Sequence, residues 1–154
     1  MIHLSAQVEP FASCIGEIRP HLPRHWAELA LDKEHVPLDP DCDRYEKMDA
    51  AGQLCMVTLR AQGQLVGYCC MMVSPELHYR TTLGARMDVF WLAPEYRGRM
   101  GGVRLFKAVE AELRRRGVKR AFMGSKLHRD SSRLFEALGY RPMEMWFSKY
   151  IGAE

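Results

Sequence analysis

The sequence predicts an α/β (α+β) domain in which a mixed, mostly antiparallel sheet is flanked by about four helices. Three observations carry this. Two strand-like runs, 53–61 and 64–74, are joined by Gln62-Gly63, a two-residue hairpin turn. An apolar, aromatic run from Leu83 to Leu92 breaks at Pro94, crosses a basic and glycine-rich turn and enters an amphipathic helix at Gly101. A strand over 118–124 and a helix over 130–138 then complete a strand-helix-strand-helix unit whose two strands run parallel.

At 154 residues and 47% apolar, the chain suits one domain spanning 1–154. No apolar run approaches the roughly 18 to 20 residues of a membrane helix. Met1-Ile-His-Leu-Ser-Ala opens like a folded strand rather than a secretion signal, so a cytoplasmic protein is expected. The five cysteines, Cys14, Cys42, Cys55, Cys69 and Cys70, form an odd set without C-x-x-C and are expected as buried thiols. The net charge of +3 hides a division. Asp32, Glu34, Asp39, Asp41, Asp43, Glu46 and Asp49 crowd the N-terminal third, whereas arginines and lysines fill the region from Arg97 onward.

In chain order, Ile2 to Val8 reads as a first strand. Phe11 to Glu34 carries helical spacing, with Trp26, Leu29 and Ala30 on one side. Asp41 or Asp43 caps a second helix that ends near Ala51-Gly52. Leu65 to Val73 is apolar on both faces, as a central strand must be, and Pro75 is expected to end it. Leu83 to Leu92 runs antiparallel to it. The helix from Gly101 to Arg116 has Val103, Phe106, Val109 and Leu113 as its buried stripe, and Gly117 stops it. Leu134, Phe135 and Leu138 form the apolar side of the last helix. From Tyr140 to Ile151 the chain alternates as a strand, leaving Met143, Met145, Phe147 and Tyr150 for the sheet or a dimer contact.

Chemistry concentrates around the turn. A helix start presents free N–H groups and the positive end of the macrodipole, and glycines let the main chain close round a phosphate. Arg97, Gly98, Arg99, Met100, Gly101, Gly102 and Val103 therefore make a candidate cradle for a diphosphate. No Gly-Lys-Ser/Thr follows, which excludes a Walker loop. Asp88 stands in an otherwise apolar strand, where an acid is costly unless it faces water or a partner. His21 and His25 lie four apart with Glu28 behind them, but Pro23 intervenes and no further ligand cluster is evident, so no metal site is assigned. The triplet Arg114-Arg115-Arg116 complements a negative helix end, and without interleaved exposed aromatics it does not call for nucleic acid.

Arg97-Gly98-Arg99-Met100-Gly101-Gly102 resembles motif A of the GNAT family of N-acetyltransferases, Gln/Arg-x-x-Gly-x-Gly/Ala, with Met100 where the middle glycine usually stands. His128-Arg-Asp-Ser-Ser-Arg-Leu-Phe-Glu-Ala-Leu-Gly-Tyr140 is similar to the family's motif B. The resemblance implies a central sheet of six to seven strands whose parallel fourth and fifth strands splay apart. It also implies acetyl transfer from acetyl-CoA to a primary amine by direct attack in a ternary complex. On that likeness Phe90, Trp91 and Leu92 supply the strand backbone beside the pantetheine, and His128 replaces an asparagine that meets it. Asp88 occupies the position of a proton-accepting acid.

Phe135 replaces the tyrosine that commonly acts as general acid. That role is left to Tyr140, Ser132 or solvent. The acidic N-terminal third would attract a cationic amine, with Glu34, His78 and Tyr79 as candidate acceptor contacts, although His78 and Tyr79 serve equally as loop packing. A monomer or a homodimer is compatible with all of this. Met100 and Phe135 keep a second expectation open, a non-catalytic GNAT-fold module that binds acyl-CoA or a protein partner.

Overall fold

A computed structural model describes residues 2–98 and 100–153. After β1 (Leu4–Val8), the helical spacing that begins at Phe11 is met by α1 (Phe11–Ile18), a 3-10 turn at Arg19–His21 and α2 (Leu22–Leu29). Pro20 and Pro23 have no N–H to donate, so they sit in first turns and break one helix into two. Asp41 caps α3 (Cys42–Ala50) by accepting the Arg44 N–H at 3.0 Å.

The hairpin of β2 (Leu54–Ala61) and β3 (Gln64–Glu76) turns through Gln62 at φ 51° and Gly63 at φ 84°. Two positive φ values match the right-handed twist of the strands they join. β4 (Tyr79–Leu92), α4 (Gly101–Arg115), β5 (Arg120–Phe122) and α5 (Ser132–Ala137) complete the order. Among the described residues no helix is long and apolar enough to cross a membrane.

The sheet runs β1-β2-β3-β4-β5, antiparallel except for the parallel β4–β5 pair. Tyr68 stands opposite Trp91 and Cys69 opposite Phe90, and neighbouring residues of a strand face opposite ways. Tyr68 and Trp91 accordingly meet His25 and His21 from the α1–α2 side, while Phe90 meets Phe106 of α4 and Phe135 of α5. The core is thus a sheet with helices on both faces.

Three expectations need correction. The sheet has five strands among the described residues, not six to seven, because residues 140–151 pair with no strand. Pro142 offers no donor at the start of that segment, and near its end Tyr150 stacks on His35, with centroids 4.4 Å apart and planes at 17°. β3 does not stop at Pro75. It continues to Glu76, with Pro75 opposite Leu83 and the ladder slipping just beyond, where a missing N–H is tolerated. In α4, Leu105 is buried and Val103 only half-buried, so the buried stripe runs through Leu105 rather than Val103.

Candidate active site

Parallel pairing between β4 and β5 covers only Gly84, Ala85 and Arg86, opposite Arg120, Ala121 and Phe122. Among the described residues Met87 to Leu92 therefore continue without a strand partner on the β5 side. On the β3 side the register slips between Cys70 and Met71, whose partners are Val89 and Met87, so Asp88 is the extra residue of a bulge. A bulge re-aims the side chain it carries. The half of β4 with its edge open is thus the half that holds Asp88, Phe90, Trp91 and Leu92.

The strand then runs directly into the turn. Pro94–Tyr96 form one 3-10 turn, Gly98 adopts φ 70°, and α4 starts at Gly101. A Cβ added at Gly101 would lie 3.0 Å from the carbonyl oxygen of Tyr96 and 3.4 Å from Leu59 and Leu92. One added at Gly102 would lie 2.9 Å from Leu134. The main chain of the helix start is therefore packed as closely as glycine permits, and its first-turn amides have no partner within the helix. Met100, at φ −72° and ψ 0°, is in an ordinary conformation with its side chain exposed, so a residue larger than glycine is accommodated there. Arg99 lies outside the described residues.

Arg97 is placed at the turn, but its guanidinium is committed elsewhere. Nε donates to the Leu92 carbonyl at 2.7 Å and an Nη donates to Glu28 at 2.9 Å, tying the end of β4 to α2. Glu28 also accepts from Arg129 at 3.2 Å. Burial pushes the Glu28 carboxyl up, but Arg97 and then Arg129 outweigh it and hold the group below its ordinary range. His128 is exposed on the same β5–α5 loop, next to Arg129.

Asp88 is half-buried and accepts a hydrogen bond from the Tyr45 hydroxyl of α3. Burial, and then the adjacent carboxylate, drive that hydroxyl well above the ordinary tyrosine range, so it stays protonated. Tyr45 is itself fixed by stacking on Phe11, 4.9 Å between centroids and 8° between planes. Arg86, two residues earlier on the strand, lies over the Phe122 ring at 4.2 Å. Beside this pair the sheet presents an aromatic wall. The His25 Nδ1 is 2.7 Å from the Tyr68 hydroxyl, and burial pushes His25 down to about 4, so it is neutral near pH 7. His21 stacks on Trp91 at 4.8 Å. Both histidines are thus used in packing, and among the described residues no three His, Cys, Asp or Glu side chains group as metal ligands.

The structure does not bring every expected residue to this point. Tyr140 packs edge-on against Phe135 at 6.0 Å, and burial followed by Glu110 raises its hydroxyl well above the usual range. Phe135 in turn meets Phe90, so Tyr140 packs on the α4–α5 face of the sheet, whereas Asp88 meets Tyr45 of α3 on the other face. His78 and Tyr79 sit at the β3–β4 turn, and nine residues of strand, about 30 Å, separate Tyr79 from Asp88. Tyr79 instead lies under the guanidinium of Arg120 at 5.2 Å. Glu34 is exposed in the loop after α2. Tyr45 was not anticipated. Its signal was the spacing of Cys42, Tyr45 and Met48, which face the core from α3, although nothing in that spacing names Asp88 as the partner.

The sequence matches the acetyltransferase (GNAT) family over residues 22–140. No curated protein matches it. Among solved structures, a GCN5-related N-acetyltransferase from Ralstonia eutropha JMP134 is similar at a TM-score of 0.76 and 18% identity, covering 97% of this chain and 100% of that one. An aminoglycoside acetyltransferase from an uncultured soil metagenomic sample has a TM-score of 0.76 at 12% identity, covering 97% and 99%. A ribosomal-protein-alanine N-acetyltransferase from Brucella melitensis biovar Abortus 2308 has 0.69 at 15%, with the same coverage. At such identities the likeness speaks for the fold, and the sequence match speaks for the family: this chain belongs to the GNAT family of acetyltransferases.

Proposed function

We propose that the protein moves an acetyl group from acetyl-CoA to a primary amine by direct attack. The observation that carries this is one continuous surface: the open edge of β4 from Met87 to Leu92, the bulged Asp88 upon it, and the close-packed helix start at Gly101 and Gly102. These residues fit the donor. The amides opening α4 would bind its diphosphate, and the β5-side edge of β4 along Phe90, Trp91 and Leu92 would meet its pantetheine arm. When bound, the thioester supplies an activated acetyl group.

Asp88 takes a proton from the acceptor ammonium, leaving a neutral nitrogen free to attack. Tyr45 holds one oxygen of that carboxylate and leaves the other for the amine, which makes it a positioning residue. An N–H near Leu92 faces the charge that develops on the carbonyl oxygen. As the carbon–nitrogen bond forms and the carbon–sulfur bond breaks, the nitrogen releases its second proton to solvent and solvent protonates the leaving thiolate, since Tyr140 is turned to Glu110 and Ser132 to Asp130. A cysteine relay is disfavoured because burial raises Cys14 and Cys55 to about 11 and Cys69 and Cys70 further. Exposed Asp32, Glu34, Asp39 and Asp43 favour a cationic acceptor.

Phe135 favours the second reading, an acyl-CoA-binding module without turnover, because it is buried at 5% exposure among Phe90, Phe106 and Tyr140 and puts no hydroxyl there. One experiment separates the two. Thiol release from acetyl-CoA is measured with a polyamine, an aminoglycoside and a lysine peptide, using the wild type and Asp88→Asn. Amine-dependent release that Asp88→Asn abolishes, with coenzyme binding intact, supports transfer. Coenzyme binding with no release for any amine class supports the module.

A further inference from the structure

The sheet face that carries Asp88 continues toward the start of β4 as open surface. In the ladder Met72 and Phe122 stand opposite Arg86, while Ser74 and Arg120 stand opposite Gly84. Met72 and Ser74 follow Tyr68 by even steps along β3, so this is the face that α1 to α3 cover further along. Here Met72, Ser74, Arg86 and Arg120 are all exposed. Arg86 precedes Asp88 by two residues on that face, about 7 Å along the strand. Its guanidinium lies 4.2 Å over the Phe122 ring, and that of Arg120 lies over the same ring at 5.1 Å. Glu76, lying across Gly84, accepts two hydrogen bonds from Arg120, the Nε one at 3.2 Å.

One carboxylate thus answers one of two cations. Among the described residues Arg86 has no acid of its own, since Glu76 is paired with Arg120 and Asp88 accepts from Tyr45. Like charges held against one ring repel each other unless an anion joins them. A guanidinium placed over a ring keeps its N–H edge for other partners, and that edge fits a carboxylate or a phosphate in two-pronged fashion. We infer that the acceptor is a zwitterion. Its ammonium goes to Asp88, and an anionic group about 7 Å from the nitrogen goes to Arg86, with Arg120 behind it. This rests on the acetyl-transfer reading and narrows it. The exposed acids of the loop after α2 attract the ammonium end, whereas a polyamine, cationic throughout, brings nothing for Arg86 and is repelled there.

Acetyl transfer by the intact chain to matched twins tests this: δ-aminovalerate against its carboxamide, and aminopropyl phosphate against aminopropanol. The anionic twin is expected to have about tenfold higher kcat/KM. A preference in either pair supports the site, and the pair that shows it tells carboxylate from phosphate. Arg86→Gln is expected to raise the KM for the anionic twin about tenfold and so level the two, while Arg86→Lys keeps part of the preference. A purely structural role for Arg86 would lower both twins together and leave their ratio standing. Turnover with equal kcat/KM for the twins, or a preference that survives Arg86→Gln, overturns the zwitterion and leaves acetyl transfer intact. No release with any amine overturns acetyl transfer instead, and calorimetry with the same twins then decides the subsite. Tighter binding of the anionic twin that Arg86→Gln abolishes upholds it, and equal binding overturns it.

Discussion

Removing the single hydroxyl of Tyr45 is the sharpest probe of how the carboxylate of Asp88 is held. Tyr45→Phe keeps the ring that stacks on Phe11 at 4.9 Å, so the α1–α3 packing persists, and deletes only the donor to Asp88. A hydrogen bond to a charged group contributes about 1.5–3 kcal/mol, and each 1.4 kcal/mol is about tenfold in rate. Its removal should therefore lower kcat/KM for the amine by about 10–100-fold. The released carboxylate also loses its fixed orientation, which lowers plateau kcat by up to about 100-fold. The KM for acetyl-CoA should not change. Asp88→Asn should lower the plateau by about 10²–10⁴-fold. Thiol release followed across the pH range, with thermal melts as the folding control, decides the matter. Unchanged kcat/KM for the amine in a folded Tyr45→Phe protein refutes the positioning role. Full activity in Asp88→Asn refutes the base itself.

Stability should depend on pH through His25. The folded protein keeps it neutral down to about 4, whereas the unfolded chain takes up a proton at 6.5, so stability is full above 6.5 and is lost as pH falls to about 4. That window corresponds to about 3 kcal/mol, and urea melts of His25→Gln should lack this part of the slope. In the turn, Gly101→Ala should cost about 1–3 kcal/mol, because its Cβ would meet a backbone oxygen that cannot yield, and calorimetry should show about tenfold weaker coenzyme binding. Gly102→Ala should be near neutral, since the flexible end of Leu134 can turn away and alanine gains about 0.5–1 kcal/mol of helix preference. Met100→Gly should change coenzyme affinity by less than about threefold, and a tenfold gain would mean that the side chain obstructs the turn.

What was legible in the sequence was what depends on local chemistry. Gln62-Gly63 specifies its own turn, Asp41 its own cap, and the passage from Leu92 through Gly101 its own strand, turn and helix. Whatever depends on register or on distant partners was not. The bulge at Asp88 exists only because β3 and β4 slip against each other, and its Tyr45 partner lies 43 residues away on another element. Tyr140 was a plausible acid as a tyrosine near motif B, but the fold turns it toward Glu110. His78 and Tyr79 were plausible as loop residues near a site. The β3–β4 hairpin instead extends to Glu76 and Tyr79, and the added strand length carries them to the far end of the sheet.

Arg97 shows how a residue that matches a motif can serve it without lending its charge directly. Its place beside a candidate diphosphate site suggests direct charge, but it spends its donors on the Leu92 carbonyl at 2.7 Å and on Glu28 at 2.9 Å. Glu28 is only 16% exposed and is shared with Arg129, so the positive charge there is largely neutralised by an acid from α2. The attraction for an anion then rests on the main-chain amides and dipole of α4, which act within the first turn. Such amides attract well only if their positions are fixed, and a two-way clamp from β4 to α2 fixes the strand end from which the turn departs. A planar guanidinium reaches both partners at once, which a lysine ammonium on one flexible stem does poorly. Arginine at this position is thus explained by geometry as much as by charge, and Glu28, far earlier in the chain, becomes part of the same device.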